Sequence, residues 1–391
     1  MAGAAPRLLI IAGEVSGDHQ GARLARALFA RRPDLTISGV GGHEMAASGV
    51  DVLIESLAWG VIGYAEAYVR LPIFALRFWT LVRLVDRYRP DLLVLVDFPG
   101  MNRELVRHFS GRVPMVYFFP PQTALRRGAT AARMARAAVR LLAVLPFEAE
   151  AYRRAGADVA FIGHPAVDDV RAPGPSAPQL REEWGITGGV VAGLLPGSRL
   201  QEIHRLLPPM LDAAGEMRAA RSISWVLPVA SPFLHDPVER AVSRSGATVR
   251  VIRSRALDVM RASDVLVLAS GTATVEAACA GVPMVVVYRL SRLTDWIGRR
   301  FVVTPDFYRV GFSIPNIVLD RRVVPELLNE EVSGSRIRAE VDRLLDDAAA
   351  RTRMRDDLAE VERRLGPPGV MARAAEETLR VLDSGGQVTL P

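Results

Sequence analysis

Residues 265–287 read Val-Leu-Val-Leu-Ala-Ser-Gly-Thr-Ala-Thr-Val-Glu-Ala-Ala-Cys-Ala-Gly-Val-Pro-Met-Val-Val-Val. The apolar run ending at Ala269 has the length of a buried strand and is too short for a core helix. Ser270-Gly271-Thr272 turns the chain, Ala273 to Ala280 has helix-forming composition, and Gly281 with Pro283 stops it. A second apolar run, Met284 to Val287, follows at once. Strand, polar turn, helix, strand describes a parallel βαβ unit. A Ser/Gly/Thr turn at a helix start directs backbone N–H groups and the positive end of the helix dipole at a crevice, which suits an anion. Glu276 lies four positions after Thr272, one too late for a capping box. Its expected orientation is outward, accepting hydrogen bonds from a ligand that carries hydroxyls.

The full chain has 391 residues, more than one ordinary core accommodates, which suggests two domains. Half of the residues are hydrophobic and 24% are charged, a globular balance. The 49 basic residues are all arginine. Without lysine, a Walker-type phosphate loop, a Schiff base and pyridoxal-phosphate chemistry are excluded. Cys279 stands alone, so no disulfide framework or cysteine-rich zinc site is expected. The histidines are scattered without metal-ligand spacing, and no metal or other cofactor is expected. Met1 to Arg7 lacks the features of a signal peptide, and no run reaches 18 uncharged apolar residues. A cytoplasmic address is the expectation.

Leu8 to Ala12 reads as the first strand, followed by the loop Gly13-Glu14-Val15-Ser16-Gly17-Asp18 and a helix from Gln20 to Ala30. The loop is not GxGxxG, and Glu14 would repel a pyrophosphate. It is either a site for sugar hydroxyls or a strand-to-helix turn capped by Ser16 or Asp18. Further strands are expected at Thr36–Val40, Asp91–Val96, Pro114–Phe119, Val139–Leu145, Val190–Leu195, Trp225–Val229 and Val249–Ile252. Asp97 follows a nearly unbroken apolar strand, where ligands of open α/β sheets bind. It is either a catalytic base or a carboxylate bonded to its own loop, with Asn102 able to cap the next helix. Tyr64 to Arg89 interleaves bulky apolar residues with Arg70, Arg77, Arg83, Arg87 and Arg89. Such a stretch lies on an anionic membrane or packs on a sheet with its arginines in water. The basic run Arg126 to Arg140 has no recognised nucleic-acid motif beside it, and no nucleic-acid partner is expected. His164 reads as part of a structural turn, and residues 171–180 have linker composition.

In the second half, Pro196-Gly197-Ser198-Arg199 follows a strand, and Ser198 with Gln201 matches a capping box. Arg199 in the first helical turn opposes the dipole by a few tenths to about 1 kcal/mol. A bound phosphate would reverse that sign. Asn316, in Phe312-Ser313-Ile314-Pro315-Asn316, is placed to read a nucleotide edge.

Several stretches taken together resemble the lipid-A-disaccharide synthases. They are Gly13 to Asp18, Asp97-Phe98-Pro99, Leu145-Pro146-Phe147-Glu148, Phe161 to His164, Leu194 to Arg199, Ala269 to Ala273 with Glu276, and Ile314-Pro315-Asn316. They occur in the family's order over roughly residues 8–330. The resemblance implies an α/β protein of GT-B type, with two doubly wound Rossmann-like domains facing across a cleft. The expected domains are 1–170 on the acceptor and membrane side and 171–365 on the UDP-sugar side. A terminal segment, 366–391, would carry a helix that can cross back to the first domain. The implied enzyme is peripheral to the cytoplasmic face of the inner membrane, which it meets through Tyr64–Arg89. It is an inverting, metal-independent glycosyltransferase of lipid A biosynthesis, and its oligomeric state is open. It moves 2,3-diacylglucosamine from its UDP derivative to 2,3-diacylglucosamine 1-phosphate, forming a β-1,6 link and UDP. Asp97, as base, and Glu14 are the catalytic candidates. Ser16 and Asp18 line the acceptor side beside Glu14. Arg199, with Ser270, Gly271, Thr272 and Ala273, holds the diphosphate, and Gly197 and Ser198 also bind substrate; Glu276 takes the ribose and Asn316 the nucleotide edge. One departure concerns Phe119 to Arg126, which stands where the family carries a Ser-Pro-Ser-Val-Trp-Ala-Trp-like run, without either tryptophan. Two other readings of the same features are a GT-B enzyme acting on another UDP-sugar, such as an epimerase or an N-acetylglucosaminyltransferase, and a UDP-sugar-binding protein without turnover.

Overall fold

The computed structural model describes residues 5–59, 71–121, 129–137, 139–218, 222–229, 231–290 and 309–385. The chain divides into two compact units, Met1–Pro165 with Pro367–Pro391, and Ala166–Gly366.

The first unit holds strands β1 (Arg7–Ala12), β2 (Thr36–Gly41), β3 (Asp51–Glu55), β4 (Leu92–Val96), β5 (Met115–Phe118), β6 (Arg140–Ala143) and β7 (Val159–Phe161). They form one sheet in the order β3-β2-β1-β4-β5-β6-β7. The second unit holds β8 (Val190–Leu195), β9 (Ile223–Val229), β10 (Val249–Arg253), β11 (Val265–Ala269), β12 (Met284–Tyr288) and β13 (Glu326–Leu328). Their order is β10-β9-β8-β11-β12-β13. All pairings in both sheets are parallel. Each sheet reverses its strand order once, between β1 and β4 and between β8 and β11. These are the two topological switch points, where doubly wound proteins bind ligands.

Burial explains which strands the sequence announces. Leu8–Ala12, Leu92–Val96 and Val265–Ala269 are buried throughout, since helices cover both faces of a parallel sheet. Their apolar runs are therefore unbroken. β3 alternates between exposed and half-buried residues, while β7 and β13 have three residues each. All three are sheet edges, and the search for continuous runs passes over them.

Two helices begin where the sequence reading did not place them. The first covers Glu14–Arg31 and takes in most of the expected loop. Another, Ala177–Glu183, takes in the last four residues of the expected linker and starts with a Ser176/Gln179 capping box. Helices Gly334–Asp346, Ala348–Arg364 and Val370–Asp383 end the chain. The last belongs to the first unit, where it packs on the helix Glu14–Arg31 and over β4 to β6. Arg140 on β6 fastens it, pairing with Glu377 at 2.8 Å and with Asp158.

Arg140→Leu would leave both partly buried carboxylates without their cation. Expected is a loss of roughly 2 kcal/mol in denaturant unfolding, below the value for a fully buried pair because this one is partly hydrated. Faster hydrogen exchange in Val370–Asp383 would accompany it; unchanged stability and exchange would show that helix packing alone holds this segment.

Candidate functional site

The switch point of the first unit brings together Glu14, Ser16 and Asp97. β1 and β4 pair with Ala12 opposite Val96, so the residues that follow each strand emerge side by side. The backbone there is unusual. Glu14 has φ 64°, Asp97 49° and Phe98 53°, three non-glycine residues in the left-handed region. Each such residue costs about 1–3 kcal/mol and persists only where its surroundings impose it. The Asp97 N–H donates to the Phe118 carbonyl at 2.9 Å. Its own carbonyl accepts from Asn102 Nδ2 at 2.7 Å and from the Tyr117 hydroxyl at 3.0 Å. The Phe98 ring lies over Gly13, where any Cβ would run into it. Asp97 is thereby turned out of the sheet, and the Ser16 hydroxyl donates to its Oδ2 at 3.1 Å. A half-buried carboxylate with a neighbouring hydroxyl donor is equipped to take a proton from a substrate hydroxyl.

Asp18 does not join this group. It is only 1% exposed, and it accepts from the N–H groups of Gly42 (2.7 Å), Glu44 (3.1 Å) and Met45 (3.1 Å). It caps the short helix His43–Ala47 from across the fold, a use that leaves it none of the acceptor-lining role expected for it. Neither Ser16 nor Asp18 caps its own helix, whose N-cap is Gly13. Asn102 is no cap either; it is fully buried and holds the carbonyls of Val96 and Asp97.

In the second unit, β8 and β11 pair with Leu195 opposite Leu268, so the turns Pro196–Arg199 and Ser270–Thr272 leave adjacent strand ends. Gly271 is the N-cap of the helix Thr272–Cys279, at φ 153° and ψ −158°, a conformation open to glycine. Among the described residues no side chain caps this helix, which leaves the leading N–H groups of Thr272 and Ala273 without an intrahelical partner. A helix start of this kind suits an anion.

The turn after β8 is built differently from the expectation. The helix runs from Leu200 to Arg218, one residue later than a Ser198/Gln201 capping box requires. Glu202 takes the capping role, accepting from the N–H groups of Ser198 (3.0 Å) and Arg199 (3.2 Å). It also pairs with the Arg199 guanidinium at 3.2 Å. The charge of Arg199 is thus offset within the chain, and its place just before the helix no longer calls for a phosphate by itself. Gly197 sits at φ 113° under the Glu202 carboxylate, which leaves no room for a Cβ.

Asn316 also departs from expectation. It is fully buried; its Oδ1 accepts from Val323 N (2.7 Å) and Val324 N (2.9 Å), and its Nδ2 donates to Val324 O (3.1 Å) and Glu326 Oε1 (2.8 Å). Every hydrogen-bonding position of its amide serves the fold, which removes it as a reader of a nucleotide edge. Glu326 completes the network, accepting from the N–H groups of Phe312 and Ser313.

Glu276 sits on the helix Thr272–Cys279, which packs against the helix Ala166–Arg171. Burial, reinforced by the Asp169 carboxylate, pushes its carboxyl up from 4.5 to about 7. Cys279 on the same helix is a buried free thiol raised to about 12, chiefly by burial. His164 is kept neutral: burial, then the charge of Arg23, lowers it to about 4. Among the described residues no group of three or more His, Cys, Asp or Glu could hold a metal ion.

Of the Tyr64–Arg89 stretch, residues 64–70 lie outside the described residues; the rest forms the helix Leu71–Tyr88. Leu81, Val82 and Val85 enter the core, with Phe74 and Phe78 packed against it. The opposite side leaves Ile73 (46%), Leu76 (66%) and Trp79 (52%) exposed. Among the described residues no helix is long and apolar enough to cross a membrane. Of the variant loop, residues 122–126 lie outside the described residues, and Pro121 accepts from the Tyr152 hydroxyl at 2.6 Å.

The profile of the Lipid-A-disaccharide synthetase family matches residues 8–371. The chain is 39% identical over 384 residues to the lipid-A-disaccharide synthase of Myxococcus xanthus, covering 97% of this chain and 98% of that one. It is 37% identical over 380 residues to that of Geobacter sulfurreducens, covering 96% and 97%. The chain belongs to the lipid-A-disaccharide synthetase family. Among solved structures it resembles the UDP-GlcNAc 2-epimerase of Neisseria meningitidis (TM-score 0.64, 12% identity, 97% of this chain and 100% of that one). It also resembles the calicheamicin glycosyltransferase CalG4 (TM-score 0.59, 16% identity, 98% and 99%). At such identities the likeness concerns the fold, which is GT-B. The chain is a glycosyltransferase of lipid A synthesis.

Tyr117, Asn102 and Glu326 carry no local sequence signal for these roles; Glu202 carries one, an Arg199-x-x-Glu202 spacing one residue out of frame with the Ser198/Gln201 box.

Because Glu276 titrates near 7 in the folded chain and near 4.5 when unfolded, the folded state alone keeps this proton between those values. The stability contributed by Glu276 therefore falls as pH rises through that window. Glu276→Gln should match the original chain near about pH 4 and exceed it by up to roughly 3 kcal/mol above about pH 8. Urea unfolding across that range checks it; a pH-independent difference would place the carboxyl in water.

Proposed function

We propose that this chain transfers 2,3-diacylglucosamine from UDP-2,3-diacylglucosamine to 2,3-diacylglucosamine 1-phosphate, forming the β-1,6 disaccharide 1-phosphate and UDP. The observation that carries the reading is Asp97, turned out of the switch point of the first unit with the Ser16 hydroxyl on its Oδ2. In the reaction the acceptor 6-hydroxyl oxygen bonds to the donor anomeric carbon while the bond from that carbon to the diphosphate breaks. Asp97 takes the hydroxyl proton, and UDP leaves with the electron pair. One displacement inverts the anomeric centre. Glu14 and Ser16 hold acceptor hydroxyls beside the base.

The uncapped N–H groups at Thr272 and Ala273, beyond Ser270 and Gly271, receive the diphosphate together with Arg199, across the turn that begins at Gly197 and Ser198. Their partial positive charge stabilises the departing UDP, in the manner of an oxyanion hole. Glu276 suits the ribose: two hydroxyls donating into its carboxylate supply the hydrogen bonds that burial makes it want. With this reading, purified protein and both substrates should yield UDP and a disaccharide 1-phosphate by mass. Asp97→Asn should lower kcat by about 10²–10⁴-fold, the usual weight of a general base. Undiminished product from the variant would remove Asp97 from the chemistry while leaving the reaction in place.

The location we propose is the cytoplasmic face of the inner membrane, with the helix Leu71–Tyr88 as the contact. Ile73, Leu76 and Trp79 form its apolar side, and Arg83 and Arg87 supply charge for anionic lipid. The doubly substituted Leu76→Glu, Trp79→Glu chain should sediment with anionic phospholipid vesicles at least about fivefold less than the original, with unchanged circular dichroism. Equal sedimentation would move the contact elsewhere on the protein.

A further inference from the structure

We propose that Asn102 and Tyr117 are positioning residues for the proton transfer, acting through the backbone of Asp97; this rests on the reading of Asp97 as the base. Both side chains converge on a single atom. The Asp97 carbonyl oxygen accepts from Asn102 Nδ2 at 2.7 Å and from the Tyr117 hydroxyl at 3.0 Å. Asn102 extends the grip by one residue, donating also to the Val96 carbonyl at 3.3 Å. Neither residue is solvent-exposed, so neither meets a substrate directly.

Their effect is on chain direction. A β-strand that simply continued past Val96 would keep Asp97 in the sheet, its carboxylate among neighbouring strand ends. Two consecutive residues in the left-handed region, φ 49° and 53°, turn the strand abruptly into the helix Pro99–Phe109. Such a pair persists only where its surroundings impose it. The Asp97 peptide is held at both ends, its N–H on the Phe118 carbonyl at 2.9 Å and its carbonyl by the two side chains. With the peptide fixed, the Cα–Cβ bond of Asp97 has one direction. That direction places Oδ2 at 3.1 Å from the Ser16 hydroxyl. Tyr117 is a dependable donor, since burial, with Asp97 adding to it, holds its phenol well above the ordinary range. Both donors also come from separate elements, Asn102 from the helix after β4 and Tyr117 from β5, so the carbonyl is fixed from two sides.

Steady-state kinetics of the full chain with both acylated substrates test this, using Tyr117→Phe, Asn102→Ala and each of them combined with Asp97→Asn. Tyr117→Phe keeps the ring in the core and removes only the donor, so it remains informative if Asn102→Ala fails to fold. Expected is a kcat loss of at least about threefold in Tyr117→Phe and about tenfold in Asn102→Ala, with both KM values within about twofold. In the Asp97→Asn background the same substitutions should change kcat by less than about twofold, because residues acting through one group are not additive. A purely structural role would instead lower activity by the same factor in either background. Wild-type kcat in folded Tyr117→Phe, or an undiminished effect in the Asp97→Asn background, overturns the assignment while leaving Asp97 as the base. Wild-type turnover in Asp97→Asn alone overturns the base and this assignment with it.

Discussion

The seating of the Phe98 ring on Gly13 is the contact on which the first site depends. β1 and β4 are neighbours in register, so the turns that leave them compete for the same space. Gly13 resolves the competition by having no Cβ, which lets the ring lie against the β1 turn. Phe98 in turn stands at the N-cap position of the helix Pro99–Phe109. Removing one methyl-sized volume from one turn thus sets the start of a helix from the other. Glu14 and Asp97 follow the two adjacent strand ends.

The two switch points share a topology and differ in charge. After β1 and β4 the chain places Glu14 and Asp97, a pair of carboxylates that repels phosphate and suits hydroxyls. After β11 it places a glycine N-cap and a helix start that no side chain among the described residues caps, an arrangement that suits an anion. The turn after β8 is intermediate, since Glu202 already answers the N–H groups of Ser198 and Arg199. The same strand order therefore supports opposite ligand chemistry according to a few residues at each strand end. That is why fold alone, shared here with an epimerase at 12% identity, does not settle the reaction.

The central strands were legible because burial on both faces leaves an unbroken apolar run, as in Leu92–Val96. Edge strands such as Asp51–Glu55 carry half that constraint and half that signal. The site was legible where a residue follows a central strand, as Asp97 and Gly271 do. It was not legible where long-range hydrogen bonds decide. Asp18 and Asn316 sit in polar turns and look like ligand-facing residues, yet Asp18 serves backbone amides 24 to 27 positions away and Asn316 those 7 and 8 positions away. Nothing in the local pattern separates a buried amide anchor from a ligand donor; both need the same residue types in the same kind of turn.

Glu276 shows where these two uses meet. Asp18 and Glu326 satisfy their carboxylates with N–H groups of the fold. Glu276 has burial without such donors among the described residues, and that burial, with the Asp169 carboxylate beside it, raises its pKa. A carboxyl in that state is a cost to the folded chain whenever it is ionised, and hydroxyl donors from a ligand relieve it. The cost of folding and the affinity for a polyhydroxylated ligand are then two readings of one electrostatic imbalance. A side chain that the fold had fully satisfied, as it has Asn316, offers a ligand no such gain.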